Sequence, residues 1–164
     1  MSKVFELELH NFQEKVNEVC IEAVNELNNE EQVRLIEEGW KNTFFDIALY
    51  PMKGSSDKIY VLKSPDDIRQ QLEDHIMTLQ SVGASKYARS VKAAVGKWEK
   101  DLMRISDVID CWMATQRKWM YLESIFSGED IKQQLPDQAR KFVNIDKKWA
   151  DTMGSVEKNK NVRH

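Results

Sequence analysis

Apolar residues recur at alternating three- and four-residue steps along most of this chain, which is the spacing of one face of an α-helix. The longest such run predicts one very long helix over residues 85–127, which Ser127-Gly128 ends. At 1.5 Å per residue, the stretch from Lys86 to Phe126 would span roughly 60 Å. Its predicted buried face holds Tyr87, Val91, Ala94, Trp98, Leu102, Ile105, Ile109, Trp112, Gln116, Trp119, Glu123 and Phe126.

Residues 1–42 are predicted to be helical as well, in two pieces. Asn28-Asn29 interrupts the apolar stripe of the first piece, and the stripe resumes out of phase, so we expect a break or kink there and a second short helix after it. The stripe holds Leu9, Phe12, Val16, Val19, Cys20, Ala23 and Leu27 before the break, and Val33, Ile36 and Trp40 after it.

Residues 43–63 have the pattern of a small β-hairpin. Two runs of β-branched and aromatic residues, from Phe44 to Tyr50 and from Lys58 to Lys63, flank a turn-rich loop over Pro51 to Asp57. A lone hairpin is marginally stable in water. We therefore expect it to pack against a helix or against something outside this chain.

A further helix is predicted over residues 64–82. The segment Ser64–Asp67 opens it with a hydroxyl cap, a proline in the first turn and two carboxylates where the helix dipole favours negative charge. Gly83 is predicted to end it. Its predicted buried face holds Ile68, Leu72, Ile76 and Leu79.

The last predicted helix covers residues 136–154. Leu135-Pro136-Asp137 opens it and Gly154 is its predicted stop, which leaves residues 157–164 as a polar, frayed tail. Its predicted inward face holds Ala139, Phe142, Ile145, Trp149 and Met153.

The predicted fold class is mainly α: an elongated helical bundle with one very long helix and a small β-hairpin, in a single domain over residues 1–156. Hydrophobic residues make up 41% of the 164 positions and charged residues 31%, with only 6 Gly and 3 Pro, which favours a folded, soluble chain. The net charge of −3 argues against nucleic acid as a partner. No apolar run is long enough for a membrane span, so no membrane partner is expected.

The two cysteines bear on the redox state of the cellular compartment. Cys20 and Cys111 are far apart in the sequence and fall in apolar helical stripes, where a free cysteine behaves as a small hydrophobic side chain. We therefore expect a reducing, intracellular compartment. No signal peptide is recognisable at the N-terminus.

The candidate chemistry is sparse. Gly96-Lys97 falls in a helical run and lacks the spacing of a phosphate-binding loop, and the Gly54–Lys58 stretch is explained as a hairpin loop. We predict no catalytic, cofactor-binding or metal-ligating residues. His10, His75 and His164 have no partner at ligand spacing, and the carboxylates of the neighbouring pairs Asp66-Asp67 and Glu37-Glu38 point in different directions.

One stretch is far more specific than this general pattern. Residues Trp112 to Phe126 resemble the W-x-x-x-Q-x-x-W-x-Y-L-E-x-I-F signature of dynein heavy chains, and the resemblance continues from Glu129 to Pro136. It covers roughly residues 15 to 155, with Glu73 where the family usually has aspartate. Further matching landmarks are Ala23 to Glu26, Trp40, Ile59 to Lys63, Leu72 to His75, Phe142 and Ile145 to Trp149, whereas Lys86-Tyr87 replaces a more apolar pair.

The resemblance implies the N-terminal part of the linker of an axonemal dynein heavy chain, a mechanical lever in an ATP-driven microtubule motor for ciliary or flagellar movement. It implies as partners the AAA ATPase ring of the same heavy chain and other dynein complex subunits, with the microtubule contacted only indirectly. ATP and magnesium would bind in the parent ring and no cofactor in this fragment, which would itself be no enzyme. The implied location is the cytoplasm and cytoskeleton, in the axoneme of a cilium or flagellum.

Two other functions compete with this one. A stand-alone helical adaptor or docking module without catalysis would also suit a helical chain, and an exposed apolar patch would favour it. A small enzyme is disfavoured, because no cluster of polar residues converges. The sequence leaves open the inner or outer arm, the position of the linker bend and the oligomeric state.

Overall fold

The computed structural model describes residues 12–51 and 58–163. They form five α-helices and one two-stranded antiparallel hairpin, which confirms a mainly α fold with one long helix and a small hairpin. None of these helices has an apolar stretch long enough to cross a bilayer. The elements are α1 Gln13–Lys41, β1 Ile47–Tyr50, β2 Ile59–Leu62, α2 Asp66–Ala84, α3 Lys92–Phe126, α4 Glu129–Gln134 and α5 Pro136–Lys158.

The chain divides into two compact units. The first unit holds the residues up to Gly39 and Glu73–Leu102, and the second unit holds Trp40–Leu72 and the residues from Met103 onward. The long helix α3 contributes to both. The assignment of residues 1–156 to one domain stays a prediction.

The first unit buries one side of α2 against the start of α3. At Gly83 an added Cβ would lie 3.4 Å from Val95 Cγ1, so the two helices approach closely there. Gly83 lies in this contact and does not end the helix, which continues to Ala84. The buried hydrophobic residues of the first unit are Val33, Ile36, Leu79, Val82, Ala88, Val91, Val95, Trp98 and Leu102.

The predicted break at Asn28-Asn29 is wrong, because α1 runs without interruption from Gln13 to Lys41. Asparagine disfavours a helix interior when its side chain competes for the backbone. Asn29 does not compete in this way: it is buried, and its Nδ2 donates a hydrogen bond to Ser85 Oγ at 3.2 Å. A partner distant in sequence thus removes the local disadvantage.

The stripe predicted to be buried on the first half of α1 is exposed. Phe12 is 51%, Val19 63% and Leu27 67% exposed, and Cys20 is exposed too. Cys111, on α3, is also exposed, so the expectation that both cysteines lie in buried stripes is wrong. Burial on α1 begins at Asn29 and Val33.

The long helix begins at Lys92 and not at residue 85. Residues 85–91 form turns with three-residue hydrogen bonds, from Ala88 N–H to Ser85 O and from Val91 N–H to Ala88 O, both at 3.1 Å. Ser85 Oγ also accepts the Tyr87 N–H at 3.2 Å, which diverts that donor from a helical bond. The predicted apolar face from Tyr87 to Phe126 is nevertheless buried or half-buried at every position.

The hairpin pairs Ile47 with Leu62 and Tyr50 with Ile59. Residues 160–162 pair with residues 43–45, which precede β1. Phe45 N–H donates to Lys160 O at 2.8 Å and Val162 N–H donates to Thr43 O at 3.1 Å. Since Val162 is also buried, the prediction of a frayed tail over residues 157–164 is wrong for residues 160–162. His164 and the loop residues 52–57 lie outside the described residues.

The last helix, α5, follows a short helix, α4, that the sequence pattern did not predict. Gly154 does not stop α5, which continues to Lys158, because its backbone does not adopt the left-handed conformation that ends a helix. Met153, which is fully buried, holds this part of α5 in the core. Ile145 was predicted to face inward and is 47% exposed.

Candidate mechanical coupling site

Five residues of the signature lie on one face of α3 in the second unit. Their spacing of four, three, four and three residues places them on consecutive turns of the same side. All five are buried or half-buried. We call this set the signature face; its members are Trp112, Gln116, Trp119, Glu123 and Phe126.

Gln116 fastens the hairpin to α3. Its Oε1 accepts the Leu62 N–H at 2.8 Å, and its Nε2 donates to the Leu62 carbonyl oxygen at 2.8 Å. An unpaired strand edge buried away from water would cost about 1–3 kcal/mol for each unsatisfied backbone group. A side-chain amide offers a donor and an acceptor side by side, so glutamine satisfies both groups at once.

Trp119 connects α3 to both the hairpin and α5. Its indole N–H donates to Asp146 Oδ1 at 3.0 Å, and its ring stacks on Trp149 with centroids 5.2 Å apart. The Tyr50 ring meets it edge-on at 5.0 Å. With 2% of its surface exposed, Trp119 lies at the centre of an apolar cluster that includes Ile59, Phe142 and Met153.

Glu123 is a buried carboxylate held by a phenol. Tyr50 O–H donates to Glu123 Oε2 at 3.0 Å. Burial raises the pKa of the Tyr50 phenol above its ordinary value, and the hydrogen bond to Glu123 and its negative charge raise the pKa further. Tyr50 therefore stays a neutral donor at physiological pH.

The two outer members of the signature face make aromatic contacts. Trp112 meets the Phe45 ring edge-on at 5.0 Å, next to β1, and Phe126 stacks on Phe142 of α5 at 5.3 Å. Each signature-face residue thus contacts the hairpin region, α5 or both. The arrangement can hold three elements together as one body.

A groove between α3 and α5 explains the exposure of Ile145. Its volume is about 560 Å³ and its lining is mostly apolar, with Cys111 and Lys148 among the residues that line it. Ile145 faces this open groove rather than the core. The three–four spacing placed Ile145 correctly on the side of α5 toward α3 but could not show that the space there is unfilled.

The residues that were weighed as catalytic or ligand-binding candidates lie on different elements of the structure. Gly96 lies inside α3, and Asp66-Asp67 lie in the first turn of α2. Glu38 forms an ion pair with Arg34 at 2.6 Å, within α1. Within residues 12–51 and 58–163, no group of three His, Cys, Asp or Glu is placed to hold a metal ion. The prediction that the fragment has no catalytic or binding residues stays a prediction.

Of the three histidines, His75 lies within the described residues. His75 is half-buried on α2, and burial lowers the pKa of its imidazole while Asp74 raises it. His10 and His164 lie outside the described residues, as does most of the Gly54–Lys58 stretch.

Sequence reasoning missed three features of this site: the acceptor Asp146, the donor Tyr50 and the backbone of Leu62. One signal was present in the pattern. Gln116 and Glu123 are polar residues on an otherwise apolar stripe, and a buried polar group requires a hydrogen-bonding partner. Which residues supply the partners depends on the packing of the hairpin and α5.

The model of the family "Dynein heavy chain, N-terminal region 2" matches residues 1–164. The chain belongs to this family. The predicted dynein heavy chain resemblance is thereby confirmed.

The relatives of this dynein segment include axonemal and flagellar heavy chains. It is 42% identical over 95% of its length to human "Dynein axonemal heavy chain 10", and 41% identical over 97% to "Dynein-1-alpha heavy chain, flagellar inner arm I1 complex" of Chlamydomonas reinhardtii. It is 32% identical over 99% of its length to mouse "Dynein axonemal heavy chain 5". The matched parts are 4%, 3% and 4% of those proteins, so the chain spans only a small part of each relative.

Proposed function

We propose that this segment transmits force as part of the linker of an axonemal dynein heavy chain. One observation carries the proposal: the signature face binds the hairpin and α5 to the long helix α3 through buried polar bonds and stacked rings. A lever must move as one body, and buried polar groups that are hydrogen-bonded, such as the Gln116 amide, specify one packing rather than several. The arrangement therefore suits a mechanical element.

The proposal includes the setting of the parent heavy chain. The AAA ATPase ring of the same chain would bind ATP and magnesium and would be the main partner, with other dynein subunits beside it. The microtubule would be contacted only through other parts of the motor, in the axoneme of a cilium or flagellum. The names of the relatives, which are axonemal or flagellar heavy chains, support this setting.

The test uses a complete heavy chain that contains these residues. Ile105 lies inside α3, and proline there removes a backbone hydrogen bond and costs about 3 kcal/mol. We expect Ile105→Pro to lower microtubule gliding velocity much more than basal ATP turnover, because the nucleotide sites would lie elsewhere in the chain.

Two further variants separate stiffness from side-chain effects. Asp107 is exposed on the same helix. Asp107→Pro should act like Ile105→Pro, whereas Asp107→Ala should leave gliding unchanged. Normal gliding by a soluble Ile105→Pro heavy chain would refute a lever function for α3.

The stand-alone adaptor remains a second candidate because of the exposed stripe on the first half of α1. The gliding test separates the two functions. A chain that acts only by docking a partner would tolerate a break in α3 without loss of velocity.

A further inference from the structure

The first half of α1 presents an apolar stripe that the described residues leave uncovered. Phe12, Val16, Val19 and Leu27 are 51%, 44%, 63% and 67% exposed. Exposed apolar residues scattered singly are ordinary, but a contiguous row on one helix face is typical of an interaction surface. The α1 stripe, as we name it, comprises Phe12, which directly precedes α1, and Val16, Val19, Cys20, Ala23 and Leu27 on α1.

A row of glutamates borders the α1 stripe along one edge. Glu22, Glu26 and Glu30 each follow a stripe residue by three positions, which makes each a surface neighbour of that residue. Glutamates four residues apart repel one another, so this row works against the helix that carries it. The complete glutamate row is Glu14, Glu18, Glu22, Glu26 and Glu30.

Few cations neutralise this row within the first unit. Lys15 is the only basic residue of α1 before Arg34. Lys86 lies near the row: its hydrogen bond with Tyr87 is the largest cause of its raised pKa, and the charges of Glu22 and Glu18 raise the pKa further. Among the described residues, no ion pair joins Glu26 or Glu30 to a cation.

We propose that the α1 stripe is a docking surface for a partner α-helix whose own apolar stripe is edged by lysine or arginine. Burial of the two stripes against each other would supply the affinity, and pairing of the basic edge with the glutamate row would fix the orientation. An acid-edged helix would meet like charges along its whole length. This surface lies in the first unit and does not depend on the signature face.

The test uses two helical peptides of about 18 residues, or five turns, with the same leucine stripe and either lysine or glutamate along its edge. Binding to the 164-residue chain is measured by fluorescence anisotropy at low and high salt. We expect the lysine-edged peptide to bind, with affinity falling as salt rises, and the glutamate-edged peptide to bind about tenfold more weakly or less. Equal binding of both peptides would overturn the proposal.

Surface variants of the chain locate the binding. Val19→Asp and Leu27→Asp should each abolish binding of the lysine-edged peptide. Met77→Asp is the matched control, because Met77 is 68% exposed on α2 of the same unit and lies off the stripe. Circular dichroism establishes that every variant keeps its helix content. Unchanged binding by Leu27→Asp would contradict the proposal.

A second copy of the chain is the competing occupant. Sedimentation equilibrium of the chain without peptide tests it directly. A monomer supports a basic partner helix, whereas a dimer that Val19→Asp dissociates would show that the stripe pairs with itself and would overturn the proposal.

Discussion

The first half of α1 and the second half of α3 have the same three–four apolar spacing. Their apolar stripes differ in exposure to solvent. On α3 the stripe is covered by the hairpin and α5, and Trp119 is 2% exposed. On α1 the stripe is open, and Leu27 is 67% exposed. Apolar periodicity therefore identifies a helix and its apolar face, but it does not establish that the chain itself supplies the cover.

Polar residues mark the difference between the two helices. The α3 stripe includes Gln116 and Glu123, each of which has a hydrogen-bond partner in the hairpin. The α1 stripe has no polar member, and the glutamates run beside it at four-residue spacing, where each like-charged pair costs about 0.2–0.5 kcal/mol. In this chain, the polar residues within the apolar stripe of α3 mark contacts with the hairpin. The row of charged residues beside the apolar stripe of α1 marks a surface that is open.

The largest expected effect is at the centre of the signature face. Trp119→Ala should lower the free energy of unfolding by about 3–5 kcal/mol, because it removes a large buried ring and its stacking partners lose contact. Leu27→Ala on the α1 stripe should change the free energy of unfolding by less than about 0.5 kcal/mol. Chemical denaturation measures the free energy of unfolding of both variants. Similar losses at the two positions would remove the contrast between the helices.

The next largest effect concerns the two hydrogen bonds by which Gln116 holds the backbone of Leu62. Gln116→Ala should lower the free energy of unfolding by roughly 2–4 kcal/mol, because each backbone group of Leu62 that loses its partner costs about 1–3 kcal/mol. Gln138→Ala is the control, since Gln138 is exposed on α5 and should change stability by less than about 0.5 kcal/mol. If Gln116→Ala lowers the free energy of unfolding by less than about 1 kcal/mol, water replaces the two hydrogen bonds to Leu62.

Tyr50→Phe should lower the free energy of unfolding by about 1–2 kcal/mol, since it removes the hydrogen bond to the buried Glu123 carboxylate. The raised pKa of Tyr50 adds a pH dependence. The neutral phenol is favoured in the folded state, so this contribution is complete below the unfolded pKa near 10 and is lost as the pH rises through the higher folded pKa.

Ultraviolet titration of the phenols measures that shift. Tyr50→Phe should remove a step that titrates above the ordinary pKa of a tyrosine, because the pKa of Tyr50 is raised. If that raised step survives in Tyr50→Phe, the phenol does not hold Glu123 in the way proposed.

The smallest effect is a pH dependence in the first unit. Burial lowers the folded pKa of His75, so its neutral form is favoured, and the contribution to stability is present above the unfolded pKa near 6.5 and is lost as the pH falls through the lowered folded pKa. Between pH 7 and pH 5 the wild type should therefore lose more stability than His75→Gln. Parallel pH profiles for the two proteins would contradict this.

The fold was predictable where local pattern and packing agree. The three–four spacing located α2, α3 and α5, and the aromatic runs around a turn-rich loop located the hairpin. The boundaries that failed depend on distant partners: Ser85 satisfies Asn29 and so preserves α1, and Ser85 also shapes the turns before Lys92. Local propensity cannot include a hydrogen bond to a residue 56 positions away.

The candidate site was predictable in its residues but not in its chemistry. The resemblance singled out Trp112, Gln116 and Trp119, and their spacing placed them on one face. What each side chain binds depends on where the hairpin and α5 lie in three dimensions. The pairing of residues 160–162 with 43–45 was missed for the same reason, since a short polar segment carries no strand pattern of its own.

We propose that the signature face fastens the hairpin and α5 to α3 so that this segment transmits force. The most direct test is microtubule gliding by a complete heavy chain with Gln116→Ala, compared with Gln138→Ala and with basal ATP turnover measured on the same preparations. We expect slower gliding only for Gln116→Ala, with ATP turnover unchanged in both variants. Gliding at wild-type velocity by a folded Gln116→Ala heavy chain would contradict it.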